Sequence, residues 1–216
     1  MTATDPCART LRAVHRRLER AFGPRHWWPA DTPLEVIVGT VLTQNTSWRG
    51  VELAISRLRA RRLLALAPLL RLTPGRLAPL IRPAGCPNVK ARRLANVLRW
   101  VRARGGIAGL RRRPTAELRA GLLAVNGVGP ETADSILLYA LDRPVFVVDA
   151  YTRRVLGRHG LATGRESYAE LQARFHAALP RRARLYNELH ARFVALAKRH
   201  CRARPLCAGC PLAGLS

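Results

Sequence analysis

Leucine, valine and phenylalanine recur along this chain at the three- and four-residue intervals of amphipathic helices. Leu11, Val14, Leu18 and Phe22 form one stripe, and Leu94, Val97, Leu98 and Val101 form another. Alternation with a period of two is nearly absent. The one β-like run, Val145 to Val148, lies between Pro144 and Asp149 and is too short and isolated to seed a sheet. Helix starts are marked by Thr32-Pro33 with Glu35 in capping-box register, by Thr73-Pro74, and by Pro114 and Pro130 at first-turn positions. The pattern predicts an all-α fold of about ten helices joined by short turns. Residues 57–83, rich in Arg, Leu, Ala and Pro, leave their boundaries open. The sharpest break is Asn126-Gly127-Val128-Gly129-Pro130, between a helix ending near Val125 and one starting near Glu131.

Composition narrows the function classes. The 216 residues are 48% hydrophobic, enough to bury a sizeable core, which excludes disorder throughout and fits one large domain or two small ones. The longest apolar run, Leu63 to Leu70, is interrupted by Pro68 and is far short of the roughly 20 residues a membrane span needs. The opening residues MTATDPCART lack the apolar stretch of a secretory signal, so a cytoplasmic, nucleoid-associated protein without a membrane partner is expected. Against 13 acidic residues stand 38 basic ones, a formal charge of +25. Such a surface binds phosphate polyanions by counterion release. Only Lys90 and Lys198 are lysines. A GC-rich genome accounts for that ratio as well as function does, but it leaves the charge in place. The arginines cluster at 57–62, 99–104, 111–113, 181–184 and 192–204, as a groove-lining footprint would.

The richest stretch is residues 122–156. Glycines at 127 and 129 permit a tight turn and leave amides uncovered where the next helix begins, which suits a phosphate, although such a turn taken alone is often only turn geometry. Asp149 stands before the helical pattern Tyr151 to Arg158, so it is expected to N-cap that helix and to be held ionised by its amides. A carboxylate so placed stabilises the positive charge that builds on a sugar when an N-glycosidic bond breaks, or orients the attacking water.

This combination resembles the endonuclease III superfamily of helix-hairpin-helix DNA glycosylases. The resemblance runs from the Pro33 helix through Leu42-Thr43-Gln44-Asn45-Thr46 and Asn88-Val89-Lys90-Ala91 to the C-terminal cysteines, and it covers most of the chain. Trp27-Trp28-Pro29, Leu-Thr-Gln-Asn-Thr and Gly-Pro-Glu-Thr-Ala-Asp look most like its 3-methyladenine glycosylase branch. The resemblance implies double-stranded DNA with a damaged base as substrate, a monomeric enzyme, Asp149 as the catalytic carboxylate, and DNA contacts from Gly127, Val128, Gly129 and Lys90. Gln44 is then expected to fill the gap left by a flipped base. Trp27, Trp28 and Trp48 are expected to receive the base, by stacking on it and attracting its cationic, N-alkylated form; core packing is the other reading of the tandem pair.

Members of the superfamily that also cut the strand use a lysine where this chain has Glu131. A carboxylate forms no imine, so the expectation is a monofunctional glycosylase using water. Glu131 is either an active-site carboxylate or first-turn charge that suits the helix dipole. An endonuclease III-like enzyme for oxidised pyrimidines and a non-catalytic DNA-binding module stand as alternatives.

Three of the five cysteines crowd at Cys201, Cys207 and Cys210, which points to metal rather than disulfides. The spacing is close to the superfamily's [4Fe-4S] loop, but the fourth position holds Ser216, a poorer soft-metal ligand. Three readings stay open: a cluster with serine or an external ligand, zinc completed by His200 or His190, and a degenerate loop. The expected architecture is a helical barrel over 32–142, with the helix-hairpin-helix at about 115–141, and a second lobe from 1–31 plus 143–216 carrying the cysteine loop at 201–216, with DNA in the cleft.

Overall fold

Proline and hydroxyl residues open the helices, and the apolar stripes decide what each one buries. The computed structural model describes residues 6–25 and 28–215, which fall into two compact units: Ala30–Leu141, and the N-terminal segment to Pro29 together with Asp142 onward. The regular structure among the described residues is all helical, with no strand. No helix among them is long and apolar enough to cross a membrane.

The Ala30–Leu141 unit is built around α2 (Pro33–Leu42). Thr32 caps it by accepting from the Glu35 amide, and nine of its ten residues are buried. A helix apolar on all sides needs cover on all sides. Cover comes from α3 (Trp48–Ala60), α6 (Pro87–Ala103), α9 (Pro130–Ser135) and the π-helical turn Ile136–Ala140 that continues α9. The stretch that the sequence leaves unparsed contains α4 (Leu66–Arg71), α5 (Pro74–Ile81) and a 3-10 turn, Arg82–Ala84. Gly50 of α3 sits against that turn so closely that a Cβ would lie 2.4 Å from the Pro83 carbonyl oxygen. Two further helices, α7 (Gly106–Arg111) and α8 (Thr115–Leu123), lead into the glycine turn and α9.

In the other unit, α1 (Pro6–Phe22) packs on α11 (Tyr168–Ala178) and α12 (Ala183–Arg199), and α10 (Ala150–Arg158) packs on α12. Its core gathers much of the chain's scarce aromatic surface. Phe146 stacks on Phe175 with centroids 3.8 Å apart, and Tyr186 and Phe193 meet Phe146 edge-on. The Val145–Val148 run is buried and forms neither helix nor strand. Side chains of α11 satisfy its backbone instead: His176 Nε2 accepts from the Phe146 amide at 3.0 Å, Gln172 Nε2 donates to the Phe146 carbonyl at 2.6 Å, and the Tyr168 hydroxyl accepts from the Val148 amide. Buried backbone groups must be paired, and this arrangement delivers Asp149 rigidly to the head of α10.

Candidate active site and nucleic-acid interface

The glycine turn joins α8 to α9, and a buried ion pair fixes the two helices. Arg119 Nε and Nη2 reach Asp134 Oδ1 and Oδ2 at 2.8 and 3.1 Å, and Asp134 is fully buried. The two turn glycines answer different demands. Gly127 has φ +91°, and a Cβ there would lie 2.4 Å from the Arg93 side chain, so both conformation and space require glycine. Gly129 has φ −95° and open space where a Cβ would be, so its absent side chain serves access from outside. Val128 is buried and its amide is taken by the Val125 carbonyl. No backbone bond among the described residues takes the Gly127 or Gly129 amide, which leaves both available to an oxyanion. Glu131 is exposed in the first turn of α9.

Gln44 lies against this turn. Its Nε2 donates to the Gly127 carbonyl at 3.1 Å and to the Thr132 hydroxyl at 3.0 Å, and its Oε1 accepts from Arg93 at 2.6 Å. The expected duplex wedge is thus committed to the hairpin in this structure. The neighbouring Asn45, with φ +49°, is the exposed tip of the loop. Trp48 opens α3 half-buried, and its indole N–H donates to Glu52 at 2.7 Å. Lys90 departs from expectation. It is 3% exposed, and its ammonium donates to the carbonyls of Leu42 and Ala84 at 2.8 and 2.6 Å. Burial pushes its pKa down. Its role here is to close the C-terminal end of α2 against the 3-10 turn, and a phosphate contact is replaced by an internal one.

Asp149 caps α10: its Oδ1 accepts from the Thr152 amide at 2.7 Å. Its Oδ2 lies 3.4 Å from Nε2 of His190, which α12 projects from its buried face. The carboxyl is 13% exposed, neither sealed nor freely solvated. Burial pushes its pKa up, but His190 and the helix amide outweigh burial, and the net displacement is downward. Asp149 is therefore a carboxylate at neutral pH. In the sequence His190 offers itself only as a zinc ligand. Its position four residues after Tyr186 on an apolar helix face signals burial, and nothing local signals the pairing with Asp149. Trp28, half-buried with φ +74°, belongs to the same unit, and Trp27 lies outside the described residues.

The cysteine loop does not assemble as a metal site. Among the described residues no group of three or more His, Cys, Asp or Glu side chains is placed to hold a metal. Cys201 is buried and its Sγ accepts from Arg158 at 3.3 Å, Cys207 is exposed, and Cys210 is half-buried. His200 Nδ1 instead meets the Leu206 carbonyl, and Ser216 lies outside the described residues. What orders the start of the loop is arginine. Arg154 donates to the Cys201 carbonyl, and Arg158 to those of Arg202 and Ala203. Among the described residues the arrangement brings together no ligand set for an iron-sulfur cluster or zinc.

Residues 38–181 match the family described as HhH-GPD superfamily base excision DNA repair protein. The chain is 46% identical over 202 residues, 92% of each chain, to a Methanocaldococcus jannaschii protein that bears a provisional DNA repair glycosylase name. It is 30% identical over 206 residues to Endonuclease III of Thermotoga maritima, covering 93% of this chain and 89% of that one. The solved structure of H. pylori 3-methyladenine DNA glycosylase bound to 1,N6-ethenoadenine is similar, with a TM-score of 0.76 at 27% identity over 89% of this chain and 97% of that one. A trapped endonuclease III-DNA covalent intermediate shares the fold, with a TM-score of 0.81 at 22% identity over 96% and 94% of the two chains.

Proposed function

Because the chain belongs to the HhH-GPD superfamily of base excision DNA repair proteins, we propose that it is a monofunctional DNA glycosylase that removes alkylated purines such as 3-methyladenine from double-stranded DNA. The observation that carries this reading is Asp149, ionised at the head of α10 beside His190, together with Glu131 where strand-cutting relatives hold an amine.

The chemistry follows from the charge balance. An N-alkylated purine is already cationic, so it departs with the bonding electron pair and becomes neutral without a general acid. The sugar takes up the positive charge, which a fixed carboxylate stabilises. Water then bonds to the sugar carbon and gives up a proton, leaving an abasic site. Asp149 stabilises the charge or orients the water. The Gly127 and Gly129 amides hold a phosphate, and Trp27, Trp28 and Trp48 receive the base. Glu131 supplies no imine and serves α9 as a favourable first-turn charge. The enzyme acts as a monomer in the cytoplasm, where its +25 charge draws it to the nucleoid.

The 30% identity to an Endonuclease III keeps one second reading, oxidised pyrimidines. Defined duplexes separate the two. Release of 3-methyladenine well above that of thymine glycol, with no borohydride-trapped protein-DNA adduct, is expected. Preferential thymine glycol release would replace the substrate class, and a strong trapped band would overturn the monofunctional assignment.

A further inference from the structure

Beside the hairpin, one face of α6 lines a groove of about 430 Å³ with Arg92, Arg93, Asn96 and Arg99 on one side and Asn126 of the turn on the other. No carboxylate lines it, so three guanidinium charges stand together unneutralised. That is unlike the pairing elsewhere in the same unit, where Arg59 faces Asp31 and Glu35, Arg113 faces Glu117, and Arg119 faces Asp134. Arg92 is exposed, and its side chain makes no hydrogen bond or ion pair with the described residues.

The other two are already oriented. Arg99 Nη2 donates to Asn96 Oδ1 at 2.6 Å, and Asn96 Nδ2 donates to the Asn126 carbonyl at 3.1 Å, so the helix face is tied to the turn itself. Arg93 packs its stem on Gly127 and donates to Gln44. Both tethered guanidiniums use only neutral oxygens as partners and keep further N–H donors for an anion. Holding like charges together without an acid disfavours the empty state, and an anionic ligand relieves it.

We propose that this groove is a second binding site for the DNA phosphodiester backbone, continuing the strand from the hairpin amides onto α6 through Arg92 and Arg99. The proposal rests on the DNA-binding reading above. Its chemistry selects a polyanion with regularly spaced charges. Arg92 and Arg99 are separated by roughly 10 Å along the helix at about 1.5 Å per residue. One DNA strand carries one charge per phosphate, about every 3.4 Å of helix axis, and a pair set this far apart reaches two separate phosphates of one strand.

The test measures binding of the full chain to an undamaged duplex by fluorescence anisotropy across a salt series. Arg92→Ala/Arg99→Ala is compared with Arg16→Ala/Arg20→Ala, which removes the same charge from exposed positions on α1, outside every arginine cluster named above. The plot of log affinity against log salt is expected to become shallower by about 1.8 for the α6 pair, close to 0.9 for each lost phosphate contact. The α1 pair is expected to change it by less than about 0.5, as a general field effect screened by salt would. Arg92→Lys/Arg99→Lys, which keeps the charge, is expected to restore most of the slope. If the α6 and α1 pairs give the same slope, the groove holds no phosphate and the proposal fails while the DNA-binding reading stands. If the parent protein shows no salt-dependent binding, both fail together.

Discussion

Replacing Asp149 with asparagine separates its two roles. As the N-cap of α10 it accepts one hydrogen bond from Thr152 at 2.7 Å, and asparagine caps about as well as aspartate, so that bond survives Asp149→Asn. What is lost is the negative charge facing the α10 amides and His190 at 3.4 Å. The helix-dipole part is about 0.3–1 kcal/mol, and the partly buried site places the total near 1–2 kcal/mol. For a chain of this length about 1 kcal/mol shifts Tm by roughly 2–4 °C, so a fall of no more than about 8 °C is expected. Catalysis should suffer far more. A preorganised electrostatic group facing developing charge is worth about 2.7–4 kcal/mol, or roughly 10²- to 10³-fold in rate. Single-turnover release of 3-methyladenine from a duplex, measured with protein in excess, reads the chemical step; thermal unfolding and duplex affinity are measured on the same preparations. A rate within tenfold of the parent would refute the role given to Asp149. So would a parallel loss of DNA affinity, because binding is assigned to arginines and hairpin amides.

Three further outcomes follow from the geometry. The Asp149 carboxyl titrates below the ordinary carboxylate value of about 3.9. Its contribution to stability is therefore full above that value and is lost as pH falls through the lower folded value, and base release should show no acidic limb from this group between about pH 5 and 8; an apparent pKa inside that window would contradict the assignment. Lys90→Met leaves two interior carbonyls without their charged donor and should cost about 3 kcal/mol, lowering Tm by roughly 6–12 °C with the salt dependence of DNA binding unchanged; a salt slope shallower by about 0.9 at unchanged Tm would return Lys90 to the phosphate backbone. Gly127→Ala, which meets Arg93 at a positive φ, should lower Tm, whereas Gly129→Ala should leave Tm within about 2 °C and weaken DNA binding; equal thermal effects of the two would show that the turn does not divide its labour in this way.

Sequence alone determined what depends on neighbours a few residues apart. Helical periodicity gave the all-α class, and proline with threonine gave the starts of α2 and α5. Asp149 was legible as a cap because the atom it serves is three residues away. A carboxylate in place of an amine at Glu131 is a matter of identity and needed no fold. The twelve α-helices among the described residues exceed the ten or so counted from periodicity because α4 and α7, at six residues each, are too short to show a stripe.

Tertiary structure decided what each polar group faces. Lys90 reads as a surface cation until α2 and the 3-10 turn close over it, with an acceptor 48 residues away. Gln44 reads as a wedge for the duplex until the carbonyl of Gly127, 83 residues on, takes its side-chain amide. His190 pairs with Asp149 only because α12 packs on α10, and the three cysteines sit at near-superfamily spacing in the chain without converging in space. Backbone preference and periodicity are properties of the local chain. The solvation of a side chain, and with it the choice between structural and chemical roles, is set by whichever distant elements surround it.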